Sequence, residues 1–255
     1  GRLGFQKVNV VDEQAKPDGN FPTAKNPKPE EKSALEIALE EARQSGAELV
    51  MGTDPDTDRV GIAIRNPANE LVLLNGNQTA SLMCYYILSR YKELNKLAPN
   101  HFIVKTIVTT ELIQSIAGHY GITCYNTLTG FKYIAELIRQ KEGKEKFLWG
   151  GEESYGYLVG DQIRDKDAVA SCAMIAEMAA YVRSQGKSLY DYLLEMYTQF
   201  GLYQEDLMSL NKEGKEGQEK IQSIMKNLRE NTPESIVGEK VVQKLDYQSL
   251  ESVHY

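Results

Sequence analysis

Cysteine is scarce in this 255-residue sequence: Cys84, Cys124 and Cys172 are odd in number, widely spaced and form no CxxC pair. That pattern excludes a disulfide framework and a cysteine-built zinc site, and it fits a reducing cytoplasm. Long apolar runs are missing as well. None approaches the roughly 20 residues a membrane span needs, so no membrane partner is expected. The opening stretch GRLGFQKVNV has no charged n-region leading into an apolar h-region, and no secretory signal is read there. A basic excess is also lacking. The net charge of -7, with no basic stripe interleaved with aromatics, opposes binding to nucleic acid but leaves room for a small anion in a local positive pocket. The three histidines, His101, His119 and His254, fall in no motif and are expected to be structural.

What is present reads as an ordinary globular protein, 42% hydrophobic and 25% charged, long enough for two modest cores. Pro17, Pro22, Pro27 and Pro29 make KPDGNFPTAKNPKPEE extended and helix-averse up to a helix opening at Pro29 and Glu30, with Gly46 as its C-cap. Strands are then expected at AELVMG and GIAIR, and a helix through GNQTASLMCYYILSRYKEL. A strand FIVKTIVTT, a helix ELIQSIAGHYG, a strand ITCYNTL, a helix FKYIAELIRQKEG, a strand KFLWG and a helix AVASCAMIAEMAAYVRSQG follow. Such alternation implies an α/β fold with a largely parallel sheet, whose ligand sites lie beyond the carboxyl ends of strands. An internal echo links AELVMGTDPDTDRVGIAI with EKFLWGGEESYGYLVG: strand, glycine, acidic loop, apolar segment. After Phe200 the charged, Gly-punctuated stretch reads as a connector with one amphipathic helix, and EKVVQKLDY as a strand opening another unit.

The stretch VMGTDPDTDRVGIAIR places Asp54, Asp56 and Asp58 at the end of a strand. A curled loop would converge their carboxylates, and a hard divalent cation would offset their repulsion. An EF-hand also opens D-x-D-x-D, but it needs glycine at the sixth position and glutamate at the twelfth, where Arg59 and Arg65 stand. An acidic β-turn explains the three aspartates equally well. Arg59 favours the metal site, because a guanidinium beside a cation suits a phosphate shared between them.

DPDTDR resembles the metal loop of the α-D-phosphohexomutases, the phosphoglucomutase and phosphomannomutase family. FPTAKNPKPEEKSAL, TLTGFKYI and GGEESYGYLVGDQIRDKDAV are similar to further segments of that family, in its order. The resemblance implies two consecutive mixed, largely parallel α/β units of the phosphohexomutase type, plus the start of a further domain. The expected boundaries are 1–74 for most of the second mutase domain, 75–200 for the third, and 201–255 for a connector and the start of the fourth. It implies Mg²⁺ on Asp54, Asp56 and Asp58, phosphate contact by Arg59, and proton transfer by Lys166. Sugar and substrate contacts would fall to Glu152, Ser154, Thr129, Gly130, Lys132 and Arg164. Thr57 stands where many members have glycine. GEESYG resembles the phosphoglucomutases and favours glucose phosphates, with phosphopentomutase and bisphosphate-synthase relatives close in pattern.

The family's nucleophile is a serine in a T-A-S-H-N-P-like loop, and its fourth domain carries an R-x-S-G-T-E-P phosphate clamp. Thr79–Ser81 imitates the first, but Leu82 and Met83 follow it in an apolar helical stretch. RQSGAE, Arg43 to Glu48, imitates the second at a helix C-terminus, where the dipole disfavours an anion. The resemblance therefore implies the middle of a mutase, inert without the first and fourth domains of the same polypeptide, acting on a hexose phosphate. The alternatives are a non-catalytic module that binds Mg²⁺ and sugar phosphate, and a metal-dependent phosphatase with an aspartyl nucleophile.

Overall fold

A computed structural model describes residues 3–24, 26–205, 214–247, 249 and 251–254. They fall into two compact units, Gly1–Gln204 and Glu205–Tyr255. In the first unit the single turn α1, Asp12–Ala15, precedes the proline-punctuated segment, after which a 3-10 turn, Lys32–Leu35, leads into α2, Glu36–Ser45. The helix begins later than Pro29, where the sequence placed it. Pro29 and Glu30 sit in a turn, with Pro29 buried against Gly61, and that packing outweighs the local preference for a proline-led first turn.

Leu35, Leu39 and Ala42 form the apolar stripe of the 3-10 turn and α2 and pack on Val50 and Ala63. Gly46 caps α2 in the left-handed region, φ 73°, its N–H donating to the Ala42 carbonyl. Arg65 completes that C-terminus by donating through Nη2 to the Ala42 carbonyl and through Nε to that of Ala47, both at 2.7 Å. The RQSGAE segment is therefore a capped helix end filled by a cation of the chain itself.

The strands β1 (Leu49–Thr53), β2 (Val60–Arg65) and β3 (Leu71–Leu74) pair in that order, antiparallel throughout. The connections 54–59 and 66–70 are too short for the crossover that parallel strands require. Parallel pairing is confined to the second sheet. There α3 (Gly76–Glu93), β4 (His101–Thr106), α4 (Leu112–His119), β5 (Thr123–Thr127), α5 (Phe131–Lys141), β6 (Lys146–Gly151), β7 (Tyr157–Val159), α6 (Ala168–Ser184) and α7 (Leu189–Phe200) follow in sequence. The strand order is β5-β4-β6-β7; β4 is parallel to β5 and β6, and β7 returns antiparallel to β6. The elements β3, β7 and α7 have no counterpart in the sequence-based expectation.

Period-two alternation on β4 divides the core. Phe102 and Val104 pack with Phe131, Ile134 and Ile138 of α5 on one face. Ile103 faces the larger cluster, which also holds Val60, Ile62 and Ile64 of β2 and runs through α3, α4, α6 and α7. Each of those fully buried aliphatic side chains contributes about 1.5–3 kcal/mol. Both sheets are thus fixed on one core, and the loops leaving β1 and β6 are placed by it.

The second unit contains α8 (Gly214–Glu230), the short pair β8 (Ser235–Ile236) and β9 (Glu239–Lys240), and a hairpin of β10 (Gln243–Asp246) with β11 (Glu251–His254). The amphipathic helix and the strand in EKVVQKLDY are both found. Part of the expected connector, 206–213, lies outside the described residues. No helix among the described residues is long and apolar enough to cross a membrane.

Candidate active site

The hairpin β1–β2 holds the aspartate loop. Asp54 organises it: one carboxylate oxygen accepts from the backbone N–H groups of Asp58 at 3.0 Å and Arg59 at 2.9 Å, and the Asp54 carbonyl accepts from Thr57 N–H at 3.1 Å. The loop curls, and one carboxylate oxygen from each of Asp54, Asp56 and Asp58 lies within 4.8 Å of the others. Thr57 takes φ 58°, left-handed backbone that favours the glycine many family members have there. Its carbonyl accepts from Ala168 N–H at 3.1 Å, which ties the loop to the start of α6.

Burial pushes the Asp54 carboxyl up to about 6; the Arg59 N–H opposes this, and Asp58 and Asp56 add to it. Burial acts on Asp58 in the same direction, but the bond from Lys166 and the neighbouring Arg59 outweigh it and hold Asp58 below the usual carboxylate value. Lys166 Nζ stands 2.8 Å from Asp58 Oδ2. For Lys166 desolvation works against the charge, yet Asp58 keeps its pKa above the ordinary value. Arg59 Nε lies 3.7 Å from Asp58 and 3.9 Å from Asp54.

The hairpin β6–β7 holds the second acidic loop, closed by Glu152 N–H donating to the Gly156 carbonyl at 2.9 Å. The internal echo in the sequence therefore corresponds to two hairpins of one form. Tyr155 adopts φ 70°. The Glu152 side chain is buried, and its Oε1 accepts from Gly130 N–H at 2.9 Å, tying the Thr129–Gly130 turn before α5 to this loop. Thr129 and Lys132 are exposed there, and Lys132 Nζ sits 4.9 Å from the Tyr133 ring centre.

The two loops are joined directly. Arg59 and Gly156 form an antiparallel bridge, and Val60 N–H donates to the Tyr155 carbonyl at 3.0 Å. Lys166 reaches Asp58 by crossing Gly156: a Cβ on that glycine would lie 2.1 Å from Lys166 Cδ. Asp167 fixes the approach by capping α6, its carboxylate accepting from Ala170 N–H at 3.0 Å.

Of the residues singled out in the sequence, Asp54, Asp56, Asp58, Arg59 and Lys166 converge, and Glu152 and Gly130 bond one another in the adjoining loop, which also carries Ser154. Arg164 is exposed and pairs with Glu142 beyond α5. Ser81 is fully buried within α3, as expected of a helix residue. Sequence reasoning missed Glu30, whose Oε1 is 3.7 Å from Arg59 Nη1 and whose Oε2 is buried without a hydrogen-bond partner among the described residues. Nothing in NPKPEE signals that contact, which depends on Pro29 packing beneath β2.

Two family profiles match the chain: phosphoglucomutase/phosphomannomutase α/β/α domain II over residues 1–67 and α/β/α domain III over residues 75–200. The chain belongs to the phosphoglucomutase/phosphomannomutase family. It is 38% identical over 249 residues to a phosphoglucomutase of Staphylococcus haemolyticus, covering 97% of this chain and 44% of that protein. A phosphoglucomutase of Staphylococcus aureus is 38% identical over 252 residues, 99% of this chain and 45% of its own. The chain thus spans less than half the length of the curated relatives it matches. Among solved structures, parafusin (phosphoglucomutase) of Paramecium in its open form has the same fold, with a TM-score of 0.59 at 16% identity over 89% of this chain and 39% of that one.

Proposed function

We propose that the chain supplies the metal loop and the sugar loop of a phosphohexomutase, which interconverts hexose 1-phosphate and hexose 6-phosphate through a phosphoserine enzyme and a bisphosphate intermediate. The observation that carries this reading is the Arg59–Gly156 bridge, which joins the aspartate loop to the loop of Glu152 and Ser154. The three converging carboxylates suit a hard cation with oxygen ligands. Asp54, Asp56 and Asp58 would hold Mg²⁺, which when bound supplies positive charge against phosphoryl oxygens.

Arg59 would contact the phosphate, its guanidinium already steered by Glu30, Asp54 and Asp58. Lys166 Nζ, kept cationic by Asp58, would give a proton to the serine oxygen as the phosphoryl group leaves it for the attacking sugar hydroxyl, whose own proton restores the ammonium. On return it would give a proton to the departing sugar oxygen and regain one from the attacking serine hydroxyl. Glu152 and Ser154 would recognise sugar hydroxyls, with Thr129, Gly130, Lys132 and Arg164 lining the approach. A sugar that must present either end needs contacts that orient it and tolerate a flip. The GEESYG loop and the two phosphoglucomutase relatives favour glucose phosphates. On this reading residues 1–74 and 75–200 are the second and third mutase domains, and 201–255 leads into a fourth. The donor serine and the distal phosphate clamp would come from the rest of the polypeptide, so the chain alone would be inert. Free cysteines accord with a cytoplasmic enzyme.

The test is conversion of glucose 1-phosphate to glucose 6-phosphate by the full-length polypeptide with added Mg²⁺. Asp56 is exposed, so Asp56→Asn should lower turnover by about 10³-fold while stability changes by less than about 0.5 kcal/mol. Unchanged turnover would remove the metal assignment, and a wild type inert toward every hexose phosphate would remove the function.

A further inference from the structure

Glu153 stands between the two residues of the proposed sugar contact, and its side chain bonds a different segment from that met by Glu152. Its Oε2 accepts from Thr106 Oγ1 at 3.2 Å and from Thr109 Oγ1 at 3.1 Å, at the C-terminal end of β4. The two threonine oxygens are themselves 2.7 Å apart. Two hydroxyl protons cannot serve three contacts at once, so at least one of the hydroxyls donates to the carboxylate, which ties Glu153 to the threonine pair.

The turn that presents these threonines is itself held from below. Lys105 is fully buried, and its ammonium donates to the Thr109 carbonyl at 3.0 Å, the Thr106 carbonyl at 3.4 Å and Glu111 Oε1 at 2.8 Å. Three donors meet three acceptors, which offsets the cost of taking that charge out of water. Asn77 Oδ1 accepts from Thr110 N–H at 3.0 Å and anchors the far end of the turn to α3. On its other side the loop rests on the first residue of α3: a Cβ on Gly76 would lie 1.7 Å from the Glu153 carbonyl oxygen.

We infer that Glu153 is a positioning residue, pinning the loop 152–156 between the 106–110 turn and the start of α3 so that Glu152 and Ser154 are presented in one fixed orientation. The inference rests on the sugar-loop reading of that segment. Because Tyr155 and Gly156 bond to Val60 and bridge Arg59, the same pin sets the edge on which the aspartate loop lies.

Two readouts separate the pin from its catalytic consequence. Hydrogen exchange in the 255-residue chain follows the amides of Glu152 and Val60, whose partners are the Gly156 and Tyr155 carbonyls. Glu153→Ala should speed both at least tenfold relative to amides of β4, and Glu153→Gln, which keeps an oxygen for the threonines, should restore them. In the full-length enzyme Glu153→Ala should lower kcat by about 10- to 100-fold, as expected when reacting groups lose orientation, with Glu153→Gln within about threefold of wild type. Gly76→Ala, which displaces the loop from the opposite side, should reproduce the Glu153→Ala kinetics with Lys105 and both threonines intact. Unchanged exchange in Glu153→Ala overturns the pin whether or not the enzyme is a mutase. Glu153→Gln as impaired in kcat as Glu153→Ala also overturns it, because the charge and not the hydrogen-bond geometry would then be operating. A wild type without mutase activity sinks the proposed function and leaves the exchange result to decide the pin.

Discussion

Lys166 Nζ and Asp58 Oδ2 lie 2.8 Å apart across the gap between the start of α6 and the aspartate loop. Both side chains are largely shielded, at 15% and 25% exposure, so the pair is screened less than a surface salt bridge. Lys166→Met keeps most of the stem and removes the charge. The expected result is a loss of turnover of about 10²- to 10⁴-fold in the full-length enzyme, the range for a proton-transfer group. Leaving Asp58 with one partner fewer should cost about 1–3 kcal/mol in urea unfolding. Near-normal turnover would separate Lys166 from the chemistry.

Much of this arrangement was legible in the sequence, and the part that was not has a physical reason. The helices α3 and α6 and the strands β4 to β6 follow from apolar periodicity, and the Asp54–Asp58 spacing pointed to convergence before any loop geometry was known. Strand β7 is three residues long, too short for a period to register. Helix α7 is the instructive omission, because Ser188 and Asp191 form a capping box directly ahead of its apolar residues, a signal present in the sequence. The short connection between β1 and β2 carries a signal for antiparallel pairing, but the strand and helix alternation elsewhere suggested a parallel sheet, and β3, four residues long, was not expected. Glu153 and Glu30 were beyond reach: the partners of Glu153 are 44 and 47 residues away, and only the assembled sheet brings them together.

Thr57 places a β-branched side chain at φ 58°, a conformation costing about 1–2 kcal/mol for an L-residue. Thr57→Gly removes that strain but adds freedom to the unfolded chain, worth about 0.5–1 kcal/mol in the other direction. The net expectation is a gain of up to about 1 kcal/mol, read from the urea midpoint, with the three carboxylates untouched. A loss of stability would mean that the threonine side chain contributes packing that exceeds the strain.

His101 gives the chain a pH dependence away from the site. It is buried at the start of β4, its Nδ1 accepts from Ala98 N–H at 3.2 Å, and it meets the Tyr91 ring edge-on. Desolvation, with Lys146 adding to it, lowers its pKa below the usual 6.5. The unfolded chain then binds the proton more readily than the folded one, so stability contributed by neutral His101 is complete above about 6.5 and is lost as pH falls toward the lowered folded value. Asp54, pushed up to about 6, acts in the opposite sense over the same range. The readout is therefore the difference between two series of urea melts from about pH 7.5 to 5: His101→Gln should lose less stability, or gain more, than the wild type as pH falls. An equal slope in the variant would remove His101 from the pH dependence.

Gly61 and Gly156 test whether close approach serves the fold or the site. A Cβ at Gly61 would lie 2.2 Å from the Pro29 carbonyl oxygen, a backbone atom, while one at Gly156 would lie 2.1 Å from Lys166 Cδ, part of a flexible stem. Backbone beneath β2 has little room to retreat, so Gly61→Ala should destabilise by about 1–3 kcal/mol, the usual cost of overpacking. The lysine stem can swing aside, so Gly156→Ala should cost less in stability, but the swing carries Nζ off Asp58. The variant should therefore lose turnover nearly as completely as Lys166→Met while melting closer to wild type than Gly61→Ala does. Melting and kinetics on both alanine variants decide it: if Gly156→Ala is the less stable of the two, or retains full turnover, the glycine is not what lets Lys166 reach the aspartate loop.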